Sequence, residues 1–243
     1  LADLEFESFV DPLTQAEDKE WETPDDVDVL PFHEAVASDD HDVEGAFGSV
    51  VDPETNYLTA LSTALFTTGT VVYVPEGVDA EDVKIRTTMN SRSLFNYTLV
   101  VAEESSSATI LERQSTGDEL EGERYYSGIV EATAGENAHV QYGALQNLSE
   151  ETYNFSVKRG HADTYATVNW IEGNIGSRLT KTSVETRLIG DSSESKIVGA
   201  FFGHEDQHFD LASRVWHEAE HTVADLVTRG VLDDEARSVY EGV

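Results

Sequence analysis

The stretch 146-QNLSEETYNFSVKRGHADTYATVNWIEGNIGSRLTKTSVETRLIG-190 decides the fold of this chain. Three β-type runs within it, 153-YNFSVKR-159, 165-YATVNWIE-172 and 179-LTKTSVETRLI-189, follow one another with no helical pattern between them. Each alternates apolar or aromatic residues with polar ones, the period of two expected of a strand with one buried face. The rhythm continues through 194-ESKIVGAFF-202, 208-HFDLASRVW-216 and 221-HTVADLVTR-229, with turn residues at Gly135, Asn147, Gly160, Gly173, Gly190, Gly203 and Gly230. A spacing of roughly 12–17 residues, held this long, predicts a stack of similar coils. The class is all-β, a solenoid into which, or against whose flank, Val168, Trp170, Val198 and Phe202 point. Solenoids commonly present surfaces to partners.

Toward the N-terminus the pattern changes. Residues 1–50 are acidic and irregular, with Pro12, Pro24 and Pro31 and the runs 16-AEDKE-20 and 38-SDDHDVE-44, and predict short helices or loops, one of them around Phe32 to Ala37. Residues 53–66 predict a helix: Asp52 caps it, Pro53 takes the first helical position, Leu58, Leu61 and Leu65 share a face, and Gly69 ends it. The organisation expected is an N-terminal acidic segment over 1–69 and a solenoid core over 70–243, opening with 70-TVVYVPEG-77 and 97-YTLVVAEE-104. The polar run 114-QSTGDELEGER-124 reads as a loop. A chain that opens at Leu1 without Met and stops at Val243 inside a strand-like run reads as a fragment.

With 48 acids against 15 bases, the formal charge of the 243 residues is −33 and the pI near 4.2. A hydrophobic content of 39% and clear strand patterning argue against disorder. The acids are scattered singly, as at Glu131, Glu136, Glu172 and Glu185. That is the haloarchaeal-type composition of a protein folded in a high-salt cytoplasm, where screening makes an acidic surface tolerable. Nucleic acid is a poor partner, since phosphate contacts need clustered Lys and Arg. No hydrophobic run reaches membrane-spanning length.

The chain has no cysteine, which removes disulfides, thiolate metal sites and thiol nucleophiles from its chemistry. There is no G-x-x-x-x-G-K-[ST] and no G-x-S-x-G, so neither a nucleotide-hydrolysing loop nor a nucleophile elbow is written in it. His204 and His208 are four apart, as are His217 and His221, a spacing that clamps a metal on a helix. In strand patterns four residues span roughly 13 Å, too far for one ion at about 2.0–2.1 Å from each nitrogen. The bland reading, structural or exposed histidine, is the better one. Asp206, Asp210, Arg214 and Lys196 could form the acid–base face of a β-helical polysaccharide-active enzyme, and such an enzyme or a sugar-binding protein is the rival functional reading. Trp170, Trp216, Tyr153 and Phe155 read as core or inter-coil stacking residues, and Asn147, Asn154 and Asn174 as turn residues tolerant of left-handed backbone.

Four ordered blocks carry a resemblance: 63-TALFTTGTVVYVPEGV-78, 146-QNLSEETYNFSVKR-159, 169-NWIEGNIGSRLTK-181 and 217-HEAEHTVADLVTRGVLDDEARSVYEG-242. Together they resemble the SufB/SufD family of iron–sulfur cluster assembly proteins, from about residue 50 to the end. The resemblance implies a right-handed parallel β-helix, in agreement with the strand rhythm. It also implies a non-catalytic scaffold in a cytoplasmic complex with a SufB-like subunit and the ATPase SufC, on which clusters are built, and it allows a homodimer in isolation. Within the family the chain is closer to SufD. Leu148 stands where SufB-like chains carry Trp after Gln-Asn, Gln114 where many carry Cys, and His217-x-x-x-His221-Thr222 with 229-RGVLDDEAR-237 is SufD-like. The family's last coils and ATPase-docking helices are expected beyond Val243. No catalytic, cofactor-binding or metal residue is carried over, and Gln146 and Arg159, which match family motif positions, are expected to be structural. Without thiolates the chain alone is expected to hold no cluster. Histidine can replace cysteine on some irons, which leaves His217 and His221 to contribute from an interface.

Overall fold

The computed structural model describes residues 17–38, 43–117 and 122–243. Its body is a parallel β-solenoid of two sheets. The N-terminal elements are β1 (Glu17–Glu22), β2 (Asp28–Pro31), α1 (Phe32–Ala37), α2 (Val43–Ala46) and α3 (Tyr57–Leu65). One sheet stacks β4 (Asp79–Met89), β6 (Ser107–Thr116), β8 (His139–Asn147), β10 (Thr167–Asn174), β12 (Glu194–Gly203) and β14 (Val223–Leu232). The other stacks β3 (Thr68–Val74), β5 (Ser93–Ala102), β7 (Arg124–Ala134), β9 (Thr152–Ala162), β11 (Leu179–Leu188), β13 (His208–His217) and β15 (Arg237–Gly242). The chain alternates between the sheets, so each coil contributes one strand to either.

One coil therefore takes two of the sequence spacings. Its length shows in a file of turn residues with left-handed backbone: Gly77, Ser105, Asn137, Tyr165, Ser192 and His221. Each amide from Gly77 to Ser192 donates to a carbonyl of the next coil's turn (to Glu104, Glu136, Thr164, Asp191 and Glu220), at 2.8–3.0 Å. The ladder compensates the conformational cost that five of these six side chains bring to a positive φ. Glycine spacing was an imperfect guide to these turns. Gly160, Gly173 and Gly230 lie inside β9, β10 and β14. Gly160 is there because a Cβ would sit 2.8 Å from Val168 and 3.1 Å from Trp170 across the interior. Nor do Asn147, Asn154 and Asn174 have positive φ; Asn137 does.

Several N-terminal expectations need correction. The stretch before residue 50 holds strands as well as helices: β1 pairs antiparallel with β4, and β2 antiparallel with β3. The helix α1 falls on Phe32–Ala37 as expected. The next helix, α3, starts at Tyr57 rather than Pro53, because Asn56 Oδ1 accepts from the Thr59 amide at 3.0 Å and caps it there. Asp52 instead closes a turn onto the Glu54 amide at 2.8 Å. The helix ends at Leu65 with Phe66 as its C-cap, and Gly69 belongs to β3. Leu58, Leu61 and Leu65 do share a face, packed on Phe95, Tyr125 and Phe155. Pro12, residues 39–42 of the acidic run and residues 118–121 of the polar loop lie outside the described residues, and β6 carries the chain through Gln114 as far as Thr116.

Segment 43–51 is pinned by Glu131. This fully buried carboxylate on β7 accepts from the amides of Gly48, Val50 and Val51 at 2.9, 3.0 and 2.6 Å, and from the Tyr97 hydroxyl.

The parallel register sorts the interior. Val140, Val168 and Ala108 form one inward file, and Tyr142, Trp170 and Ile197 the next, within the largest apolar cluster. Val198 and Phe202 fall on the other parity. The inward residues of β12 are Ser195, Ile197, Gly199 and Phe201, and Val198 and Phe202 face outward. Trp216 is 49% exposed at the end of β13, not core.

Candidate functional site

Further along the same inward files the apolar core gives way to polar residues. Glu112, Ala144 and Glu172 are register partners on one sheet, as are Gln114, Gln146 and Asn174. The opposite sheet presents Asn96, Gly128, Ser156 and Thr182 in one file and Thr98, Val130 and Lys158 in the next. The strands hold these side chains inward by parity alone, since Glu172 lies two residues after Trp170 and Lys158 two after Ser156. This part of the solenoid interior is thereby polar and buried.

Its centre is an ion pair. Lys158 Nζ lies 2.8 and 2.6 Å from the two oxygens of Glu172, and both side chains are buried. Burial pushes the Glu172 carboxyl above its ordinary range; Lys158 pulls it back, and the neighbouring charge of Glu112 adds to the rise. Glu112 accepts from the Tyr142 hydroxyl at 2.7 Å and from Asn96 Nδ2 at 3.4 Å, and Lys19 Nζ donates to Asn96 Oδ1 at 2.7 Å. Burial, with Glu112 alongside, keeps the Tyr142 phenol firmly protonated. Trp170 Nε1 donates to Thr186 Oγ1 at 2.9 Å, and its ring lies 5.7 Å from that of Tyr142.

Gln146 closes the outer end of the row. Its Nε2 donates to the Gly176 carbonyl and Thr180 Oγ1 at 3.2 Å and to Ser177 Oγ, and its Oε1 accepts from the Gly176 amide at 2.9 Å. Gly176 must be glycine, since a Cβ would lie 2.1 Å from the Leu148 carbonyl oxygen. Buried Leu148, where a Trp was the alternative, packs with Met89, Leu94 and Tyr126. Arg159 is on the opposite parity, outside the solenoid, donating to the carbonyls of Lys158 and Ser183 at 2.9 and 2.8 Å. Both residues tie neighbouring strands or turns together.

The other candidates are not brought together. His204 and His208 bracket a turn, and His217 ends β13 while His221 lies in the turn after it, so neither pair lies along one strand. His204 Nε2 lies 3.3 Å from Glu150, His217 Nδ1 lies 2.6 Å from Thr222 Oγ1, and His221 occupies the left-handed turn position. No three His, Asp or Glu side chains converge on a metal-sized space among the described residues. Lys196 pairs with Asp225 at 3.4 Å on one sheet, while Asp210 pairs with Lys181 and Arg214 with Glu241 (2.7 Å) on the other, and Asp206 sits 3.9 Å from Arg178. Tyr153 is half-buried and Phe155 buried, stacked on Tyr125 at 5.4 Å. The ion pair itself escaped the sequence reading, although its parity with Trp170 and Ser156 was available.

Residues 85–243 match the family model described as SUF system FeS cluster assembly, SufBD core domain. An iron-sulfur cluster assembly SufBD family protein of Staphylococcus epidermidis is 26% identical over 200 residues, 81% of this chain and 43% of the relative. Namesakes from Staphylococcus haemolyticus and Staphylococcus aureus match at the same identity and coverage. The chain thus spans less than half the length of these relatives.

Proposed function

The chain belongs to the SufBD family of iron–sulfur cluster assembly proteins, and we propose that it is a non-catalytic scaffold subunit, on the SufD side, of a cytoplasmic SufB–SufC–SufD type complex. The observation that supports this reading most is the coincidence of the family match with the solenoid: residues 85–243 run from β4 to the last strand. Residues 70–243 act as the scaffold core and 1–69 as an accessory segment. A stack of coils with a hydrogen-bonded interior is stiff, and stiffness lets a subunit carry motion from an ATPase to a distant contact. The buried groups of the interior are occupied with one another: Lys158 with Glu172, Glu112 with Tyr142, Gln146 with the 176–180 turn. Such closed pairs hold a shape rather than turn over a substrate. The cluster is the complex's cargo, and its ligands come in part from a SufB-like partner, because this chain has no thiolate.

Co-expression with SufB-like and SufC-like subunits, followed by affinity purification at high salt, tests the assignment. Stoichiometric recovery of both is expected. Recovery of neither overturns it.

A further inference from the structure

Most outward-facing cations among the described residues are matched by the chain's own carboxylates. Lys84 and Arg86 reach Glu22 at 3.1 and 2.5 Å, Lys196 reaches Asp225, and Arg187 reaches Glu218 at 2.5 Å. Arg113 and Arg229 are different, as is Arg237 on the other sheet. The first two are exposed on the outer face of the sheet formed by β4 to β14, and neither has an ion-pair or hydrogen-bond partner among the described residues. They lie in one file of register partners, which runs from Arg86 through Arg113, Leu145, Gly173 and Ala200 to Arg229. Between them stand Leu145, whose side chain reaches over Gly173, and Ala200, while the flanking files raise exposed Leu111, Ile171 and Phe202 on either side. The result is a shallow apolar groove with, at each end, an arginine that has no partner among the described residues.

The absence of acid from this groove is the unusual fact. With 48 acids among 243 residues, chance would place several across three files of five strands, and no acidic side chain stands in them. Arg86, the register neighbour of Arg113 in the same file, is met by Glu20 and Glu22 from β1, and Arg113 is not. In so acidic a chain, a cation without a partner among the described residues is a place for carboxylates from outside.

We propose that this groove docks an acidic amphipathic helix of another protein, its apolar stripe on Leu145 and its neighbours and its carboxylates on Arg113 and Arg229. A second copy of this chain does not fit, because its matching face would set arginine against arginine. An added strand does not fit either, because β6 to β12 are already paired on both sides. The span of four strand spacings, about 19 Å at about 4.8 Å each, corresponds to about 13 residues of helix. Apolar burial supplies the affinity and the terminal charges set polarity and specificity. The inference goes beyond the cluster-assembly reading and does not depend on it.

The test uses the whole chain and a fluorescent, stapled helical peptide of about four turns with a leucine stripe and glutamate at both ends. A peptide of the same stripe with lysine ends is the comparison. Binding of the glutamate peptide is expected, with at least about fivefold weaker binding after Arg113→Glu/Arg229→Glu and after Leu145→Asp. It should be unchanged after Arg214→Glu/Arg237→Glu, an equal charge change on the other sheet. No binding, equal binding of the lysine peptide, or binding that survives the double substitution overturns the proposal. So does light scattering that shows a dimer converted to monomer by Leu145→Asp, which would make the groove a self-interface.

Discussion

Lys158 and Glu172 meet across the solenoid interior, Nζ 2.6 Å from Oε2, with both side chains closed off from solvent. They come from opposite sheets, so the contact ties the two walls of the solenoid together where its apolar core ends. Two charges buried this deeply stabilise only as a pair.

Lys158→Met is therefore expected to cost about 3–5 kcal/mol, because it strands an uncompensated carboxylate. Lys158→Met/Glu172→Leu should recover most of that loss. Burial raises Glu172 above its ordinary pKa of 4.5 even with Lys158 present. The folded state thus holds that proton more tightly than the unfolded chain. The group's stabilising contribution is complete below its unfolded value and is lost as pH rises through its folded value. Without Lys158 the rise is larger, so the gap between wild type and Lys158→Met should narrow as the pH falls below neutral. Denaturant melts at a series of pH values at constant salt measure this gap. A gap independent of pH would contradict the account.

Glu131→Gln places an NH2 where backbone amides of segment 48–51 now donate. A loss of about 1–3 kcal/mol is expected from the buried donors left unpaired. Hydrogen exchange should rise in residues 43–51 and remain unchanged in β9 to β13. Uniform deprotection would show that the carboxylate supports the whole solenoid instead.

Gly176→Ala should destabilise by at least about 1–3 kcal/mol, since backbone rather than a side chain must move to admit the methyl group. The same change should loosen the turn that Gln146 grips, making Gln146→Leu less costly in the Gly176→Ala background than alone. A double-mutant cycle with additive losses would sink this coupling.

Salt should act on the whole molecule. With a formal charge of −33, self-repulsion opposes the compact state, and thermal melts from about 0.1 to 3 M KCl should rise in midpoint. A flat or falling trend would contradict a high-salt adaptation.

Much of the fold was legible in the sequence because period-two alternation survives in β9, β10, β11 and β13, where interior and exterior differ in polarity. Parity failed where both faces are apolar: Val198 and Phe202 sit outside and Phe201 inside. Turns were misplaced because the left-handed positions carry Ser105, Tyr165, Ser192 and His221 in place of glycine, held by amide bonds between coils that no local signal announces. Asn56 won the helix cap over Asp52 through a hydrogen bond that either residue type could offer. The interior ion pair was hidden by composition. Among 48 acids, only the parity shared with Trp170 distinguishes Glu172. The groove between Arg113 and Arg229 depends on long-range register and could not be read along the chain.

Anaerobic reconstitution with iron and sulfide, followed by absorbance of the desalted protein, tests the scaffold assignment most directly. The chain alone should return colourless, and the complex co-purified with SufB-like and SufC-like subunits should retain the brown charge-transfer bands of a cluster. A stoichiometric cluster on the isolated chain would contradict the assignment.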